Sequence, residues 1–259
     1  MFTPEEREQL RDTLISAARA DERIAGAALT GSGSLGAEDR WSDVDLALGI
    51  AAGADVAVVI ADWTHLMYRD HRALDHLDMT SGATVYRVFL LASTLQVDIA
   101  FAPAAEFGPT GPTFRLLFGR AAERPVPGPP AATEFIGLGW LYALHARSSI
   151  ARDRAWQAEY MISGVRDHVL ALACLRHGVS PYQGRGMDRL PAEVTAGAAG
   201  ALVRSLDAGE LNRAFRAVTQ ALLAEIALAD GDLAARLAGP LEELAAGADA
   251  HGGRAGCAD

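Results

Sequence analysis

The sequence predicts an α/β (α+β) domain with a mixed sheet, followed by an all-α helical-bundle domain. Short β-rich runs alternate with helical patterns through residues 1–123. The Pro-rich stretch "RPVPGPPAATE" at 124–134 is interpreted as a linker. Beyond it, alanine and leucine recur at helical spacing, which predicts a helical domain over 135–249 and a tail at 250–259.

Capping residues and alternation indicate the first elements. Thr3, Pro4 and Glu6 form a capping box, which predicts a helix at the start of the sequence. A short strand in "RIAGAALTG" then runs into a Gly/Ser turn, and "VDLALGI" is the second strand. The segment "DVAVVIADWTHLMYRD" is a predicted helix that begins at an aspartate cap.

Two β-rich runs follow in "ATVYRVFLLASTLQVDIAFAP", and the break at Ser93-Thr94 predicts an antiparallel hairpin. The segment "FRLLFG" is the last strand candidate. In the second half, periodicity predicts helices over five ranges: 133–151, 153–177, 190–206, 208–229 and 231–247. The glycine- and arginine-bearing loop at 183–191 is either an ordinary interhelical loop or a segment that closes over a phosphate.

The composition of the chain indicates which class of binding partner to expect. The chain has 33 acidic and 23 basic residues, for a formal net charge of −10. This balance disfavours nucleic acids, whose binding depends on attraction between basic groups and phosphates, and it favours cationic small molecules. The first residues are charged and no apolar run approaches the roughly 18 residues of a membrane span, so a cytoplasmic protein is expected. Cys174 and Cys257 indicate neither a disulfide framework nor a metal cluster.

Two predicted strands carry aspartates on one face. Alternation puts Asp43 and Asp45 opposite the apolar side chains of "VDLALGI", and it puts Asp98 opposite those of "LQVDIAF". A lone Asp-x-Asp is commonly only a polar strand face. If the two strands are neighbours, however, three carboxylates converge on an open side of the sheet and repel unless divalent cations lie among them. Oxygen-only ligands favour Mg²⁺, and two such ions suit phosphoryl-type transfer.

The segment "GSGSLGAEDRWSDVDL" resembles the signature of the DNA polymerase β-like nucleotidyltransferase superfamily. That signature is a Gly-Ser pair, a further glycine and then Ser-Asp-x-Asp-Leu. Taking Gly31-Ser32 as the pair places Gly36 and the Ser-Asp-Val-Asp-Leu run of 42–46 at the family spacing. The apolar-Asp-apolar pattern around Asp98 matches the family's third carboxylate strand, and the resemblance covers roughly residues 20–120.

This resemblance implies a role for each matched residue. Asp43 and Asp45 would bind Mg²⁺, expected as two ions, and Asp98 would join them or act as the base. Gly31, Ser32 and Ser42 would hold the nucleotide, expected to be ATP or another NTP.

The extra helical half resembles the arrangement in antibiotic nucleotidyltransferases that act on aminoglycosides or lincosamides, where a helical domain walls off the acceptor. On the helix over 153–177, Trp156, Glu159 and Tyr160 form part of a polar and aromatic stripe. One interpretation is a solvated or ion-paired helix face. The other is that Trp156 and Tyr160 border the acceptor, while Glu159 deprotonates its hydroxyl or holds an ammonium group.

The expected function is Mg²⁺-dependent transfer of a nucleoside monophosphate, AMP from ATP, onto a hydroxyl of a small acceptor such as an aminoglycoside-like cation. Two alternatives stay open from the sequence. One is nucleotidylation of a macromolecule, either a protein or an RNA end, which would need a basic groove. The other is a non-catalytic nucleotide-binding module.

Overall fold

The computed structural model describes residues 1–246, so the predicted tail at 250–259, Cys257 and the end of the last predicted helix lie outside the described residues. The chain divides into two units, one comprising residues 1–128 and the other beginning at Pro129. The predicted fold class is confirmed: a mixed six-stranded sheet with helices is followed by a helical region.

The first unit contains three helices and six strands. The helices are α1 (Pro4–Ala20), α2 (Gly31–Leu35) and α3 (Val56–Asp70). The strands are β1 (Ile24–Thr30), β2 (Val44–Ile50), β3 (Ala73–Ser81), β4 (Thr84–Leu91), β5 (Gln96–Pro103) and β6 (Phe114–Phe118). They form one sheet in the order β3-β4-β5-β2-β1-β6, in which β2 and β5 are parallel and the other neighbours are antiparallel.

Local signals account for several of these elements. The Thr3 hydroxyl accepts from the Glu6 N–H, and the Glu6 carboxylate accepts from the Thr3 N–H, so the capping box of α1 is formed. Asp55 caps α3 by accepting from the N–H groups of Ala57 and Val58. The predicted hairpin is also present, since β4 and β5 pair in antiparallel register.

Two elements differ from the sequence prediction. The Gly/Ser segment is not a simple turn, because Gly31–Leu35 forms the short helix α2, which ends at the left-handed Gly36. Strand β3 was not predicted, because apolar and polar residues do not alternate regularly in "ALDHLDMTS" and only Ala73 in it is buried. An edge strand has one neighbour only, so it needs few apolar residues to remain in the sheet.

One face of the sheet forms the main core of the first unit. The Val, Leu and Ile side chains of β2 are buried there together with Val97, Ile99 and Phe101 of β5. Trp63 and Met67 of α3 pack into the same core.

The opposite face is open only in part. Phe107 packs on Ala28, Ala47 and Ala102. The carboxylate face of β2 is therefore not open along its whole length, contrary to the prediction from the sequence. A Cβ at Gly49 would lie 2.7 Å from the Phe107 ring, so the small residues on this face leave the space that the Phe107 ring occupies. The aspartate end of β2 and β5 is the part that Phe107 leaves uncovered.

The second unit is helical. Its helices are α4 (Ala132–Ile150), α5 (Ala155–Arg176), α6 (Ala192–Gly200), α7 (Ala208–Ala229) and α8 (Gly231–Ala246), and they enclose a core that contains Ile162, Phe215 and Leu222. Helix α6 is shorter than the predicted 190–206. Arg213 donates to the carbonyls of Gly200 and Leu202, which binds the chain where it leaves the helix.

Cys174 is buried in this unit, and burial raises the pKa of its thiol, which fits a structural residue. Among the described residues, none of the helices combines the length and apolar character that a membrane span requires.

Candidate functional site

The register of the parallel pair brings the three predicted aspartates together. Asp45 of β2 lies directly opposite Asp98 of β5, and Asp43 precedes β2 by one residue. Each of the three half-buried side chains offers a carboxylate oxygen, and these oxygens all lie within 4.8 Å of one another. The convergence inferred from alternation alone is therefore present in the structure.

This cluster concentrates negative charge. Two unit charges 4.8 Å apart repel by about 1 kcal/mol at the dielectric constant of water and by roughly 3.5 kcal/mol at an effective value of 20. The Gln96 amide offsets part of this repulsion, because Nε2 donates to Asp98 Oδ1 at 2.9 Å and lies 3.4 Å from Asp43 Oδ2. Gln96 was not singled out from the sequence as a site residue, although it lies two residues before Asp98 on the same strand face.

The donor set fits a magnesium ion. All three groups supply oxygen, which is the ligand type that Mg²⁺ prefers. Two oxygens on opposite sides of one Mg²⁺ lie about 4.2 Å apart, so separations of up to 4.8 Å need only small side-chain rotations to reach that geometry.

Helix α2 lies against this cluster. Its first residue, Gly31, has φ +54°, a conformation that L side chains rarely adopt. A Cβ at Gly31 would lie 1.9 Å from Asp45 Oδ2, so only glycine lets the backbone approach the carboxylate this closely. Ser34 Oγ donates to the Gly31 carbonyl at 2.8 Å, which fixes the first turn. Ser32 is half-buried in the same turn.

The loop between α2 and β2 is held by its own side chains. The Ser42 hydroxyl accepts from the Asp39 N–H at 2.9 Å and lies 3.1 Å from Asp39 Oδ1. The Trp41 N–H also donates to this carboxylate, and these bonds hold the pKa of Asp39 below its ordinary value. The Ser42 side chain thus orders the segment that leads into Asp43, and its predicted contact with nucleotide stays a prediction.

A buried arginine anchors the same loop from α1. Arg7 is 2% exposed, its guanidinium donates to the Asp39 carbonyl, and Nη1 lies 3.5 Å from the Ser42 carbonyl. Glu38 contacts Arg7 and accepts from Arg11 at 2.6 Å. We call these contacts of Arg7 the Arg7 clamp, and they were not predicted from the sequence. The available signal was a charged residue at position 7 on the apolar stripe that continues to Leu14.

The predicted acceptor-side residues lie on α5 in the second unit. The Glu159 carboxylate accepts from Ser163 Oγ at 2.7 Å, one turn along the helix. Trp156 and Tyr160 are 76% and 63% exposed. An exposed stripe with an internal hydrogen bond suits either interpretation of this helix face, and the roles of the three residues stay predictions.

The loop at 183–191 contains a short 3₁₀ turn at Met187–Arg189. A Cβ at Gly186 would lie 2.3 Å from the Ser180 carbonyl oxygen, so this glycine is explained by close backbone packing. Its arginines remain available to either interpretation of the loop.

No protein-family model matches the sequence. No curated protein matches it either. Among solved structures, the chain is similar to an aminoglycoside 6-adenyltransferase from Bacillus subtilis, with 15% identity over 94% of this chain and 99% of that chain. The TM-score of this match is 0.34, a similarity too low to support an argument about activity. The features of this chain that bear on its function are therefore the aspartate cluster and the α2 backbone beside it.

Proposed function

We propose that the protein is a Mg²⁺-dependent nucleotidyltransferase that moves AMP from ATP onto a hydroxyl of a small acceptor, with release of pyrophosphate. The observation that carries this proposal is the juxtaposition of Asp43, Asp45 and Asp98 with the Cβ-free backbone of Gly31. The resemblance of the Gly-Ser and Ser-Asp-x-Asp-Leu segments to the superfamily signature supports the same reaction.

Asp43, Asp45 and Asp98 would hold the magnesium. When bound, this metal neutralises charge on the phosphates and lowers the pKa of a coordinated hydroxyl. The register of β2 and β5 fixes where these ligands would hold the metal, because the two strands are hydrogen-bonded neighbours that place Asp45 opposite Asp98. Gln96 orients Asp98 through the bond to Oδ1.

The backbone around Gly31 would bind the triphosphate. A glycine without a Cβ lets N–H groups approach phosphate oxygens closely, and the Ser32 hydroxyl would add a donor. The Arg7 clamp supports this arrangement, since it holds the loop that joins the phosphate-binding turn to Asp43. Transfer of a phosphoryl-type group depends mainly on such positioning and on charge neutralisation.

In the proposed reaction, the acceptor hydroxyl oxygen forms a bond to the α-phosphorus, and the bond from that phosphorus to the bridging oxygen of the β-phosphate breaks. Pyrophosphate leaves with the bonding electron pair. The hydroxyl proton passes to a carboxylate oxygen, for which Asp98 and Glu159 are the two candidates. The net charge of −10 supports an acceptor that is cationic, such as an aminoglycoside-like antibiotic.

The test uses labelled ATP and Mg²⁺ with aminoglycosides, lincosamides and whole-cell extract, followed by mass spectrometry of the labelled fraction. We expect an added AMP on a small molecule, and loss of pyrophosphate release in Asp43→Asn and Asp45→Asn. Asp12→Asn is the matched control, because Asp12 is an exposed aspartate on α1. Wild-type turnover in either site variant would refute the assignment, and label on a protein or RNA end would favour the macromolecular alternative.

A further inference from the structure

An exposed apolar surface adjoins the aspartate cluster on the same face of the sheet. Asp98 lies opposite Val88 of β4, and Val88 lies opposite Leu77 of β3. Paired residues of neighbouring strands share a face, so all three side chains project from one side of the sheet. We define the β3–β4 shelf as the apolar side chains of this face on the two strands: Leu77, Met79, Tyr86, Val88 and Leu90.

The fold does not require the shelf to be apolar. Leu77 is 62% exposed, Met79 52% and Leu90 49%. The core of β4 lies on the other face, where Phe89 is fully buried. A contiguous set of large apolar side chains left in solvent on a sheet face is typical of a binding surface.

The dimensions of the shelf suit a small molecule. Adjacent strands lie about 4.8 Å apart, so the shelf extends about 10 Å sideways from Asp98, across β4 to β3. A ligand that rests on Leu77 and Met79 therefore needs to span only this distance to bring a hydroxyl to the cluster. Tyr86 adds an aromatic surface at the level of Ala100, the next residue on that face of β5.

The charged side chains around the shelf disfavour an anionic ligand. Asp75, opposite Leu90, borders the shelf with an exposed carboxylate. Arg87, the arginine of β4, lies on the other face, where it pairs with Asp78 and donates to Thr64 of α3. The shelf thus offers apolar contact beside negative charge, which complements an uncharged or cationic ligand.

We infer that the β3–β4 shelf binds the apolar part of the acceptor, so the substrate is an amphiphile with an apolar or aromatic portion of up to about 10 Å next to the reactive hydroxyl. The molecule is neutral or cationic. This inference rests on the proposed function for the role of the aspartates, and it narrows the cationic acceptors proposed above to those that carry an apolar portion. Hydroxylated compounds without such a portion, unmodified aminoglycosides among them, should be poor substrates.

The test compares three probes that share a sugar head: methyl β-glucoside, octyl β-glucoside below its micelle concentration, and the anionic octyl β-glucuronide. Binding to the full chain is measured by saturation-transfer NMR, and AMP transfer is measured separately. We expect octyl glucoside to bind at least tenfold more tightly than methyl glucoside and the glucuronide to bind more weakly than octyl glucoside. The double variant Leu77→Thr/Met79→Thr should lose most of this preference, with its fold checked by circular dichroism.

Leu228→Thr is the matched control, because Leu228 is 63% exposed on α7 in the other unit. Equal binding of the two glucosides, or unchanged preference in the double variant, would overturn the inference while leaving nucleotidyl transfer intact. If octyl glucoside binds at the shelf but AMP is transferred to no acceptor, the proposed function would be wrong, whereas the assignment of the shelf as a ligand-binding surface would stand. Light scattering provides a further check, since a dimer that dissociates in the double variant would assign the shelf to a second copy of the chain.

Discussion

Replacing Gly31 by alanine tests the close approach between α2 and Asp45. The added Cβ would lie 1.9 Å from Asp45 Oδ2, whereas real Cβ atoms essentially never approach another atom within 3.0 Å. The carboxylate or the helix must therefore move by more than 1 Å. A misplacement of about 1 Å in a catalytic arrangement costs on the order of a hundredfold in rate.

Gly36→Ala is the control for the backbone contribution. Gly36 also has a left-handed φ, +64°, but nothing lies within 4 Å of a Cβ built there. Both alanine variants bear a conformational cost of about 1–2 kcal/mol in the free energy of unfolding, and only Gly31→Ala adds the collision with Asp45.

The assays are urea unfolding, calorimetric binding of Mn²⁺ as a magnesium substitute, and pyrophosphate release. We expect similar losses of stability from the backbone term in both variants, with weaker metal binding and about a hundredfold lower turnover only in Gly31→Ala. Equal turnover in the two variants would refute the argument that Gly31 is required by the position of Asp45.

Three further predictions concern the supports of the site and the helical unit. Asp98→Asn replaces one of the three carboxylates by a neutral amide, so it should abolish the stabilisation by Mg²⁺ that a thermal-shift assay records for the wild type. A Mg²⁺ response equal to that of the wild type would contradict a shared site. Arg7→Ala should lower the free energy of unfolding by about 2 kcal/mol, because the loop loses the buried guanidinium that donates to the Asp39 carbonyl and contacts Glu38. Arg7→Lys should recover part of this loss in urea unfolding. Burial against the rings of Phe135 and Tyr142 lowers the pKa of His168, although the negative charges of Asp167 and Glu134 act to raise it. Because the unfolded chain binds this proton more tightly, the free energy of unfolding should fall as the pH decreases below about 6.5. Urea unfolding at pH 7.5 and 5.5 should show a smaller difference in His168→Gln than in the wild type, and an unchanged difference would count against this source of the pH dependence.

Local chemistry made much of the first unit predictable. The capping box of α1, the aspartate cap of α3 and the break at Ser93-Thr94 are signals that depend on a few neighbouring residues, and each appears in the structure. The alternation in β2 and β5 likewise separates core residues from carboxylates, because a strand has only two faces.

Features that depend on distant contacts were less accessible from the sequence. Phe107 covers part of the second sheet face, yet it belongs to a loop whose position no local pattern defines. Strand β3 is stabilised by pairing with β4, since Ala73 is the one residue of β3 that is buried. The Arg7 clamp similarly joins α1 to a loop far along the chain, and a single arginine within a helical pattern does not identify its partners.

The parallel pairing of β2 and β5 has a consequence for how the first unit assembles its aspartate cluster. A helix and a two-stranded excursion, α3 followed by β3 and β4, separate these strands in the chain, and Asp45 meets Asp98 only when that whole crossover has returned to the sheet. A nascent or clipped chain that ends before β5 would lack the third carboxylate altogether. Because the proposed cation site needs all three aspartates, it would form only after β5 has joined the sheet. Refolding experiments could therefore use cation binding to detect this late step of folding.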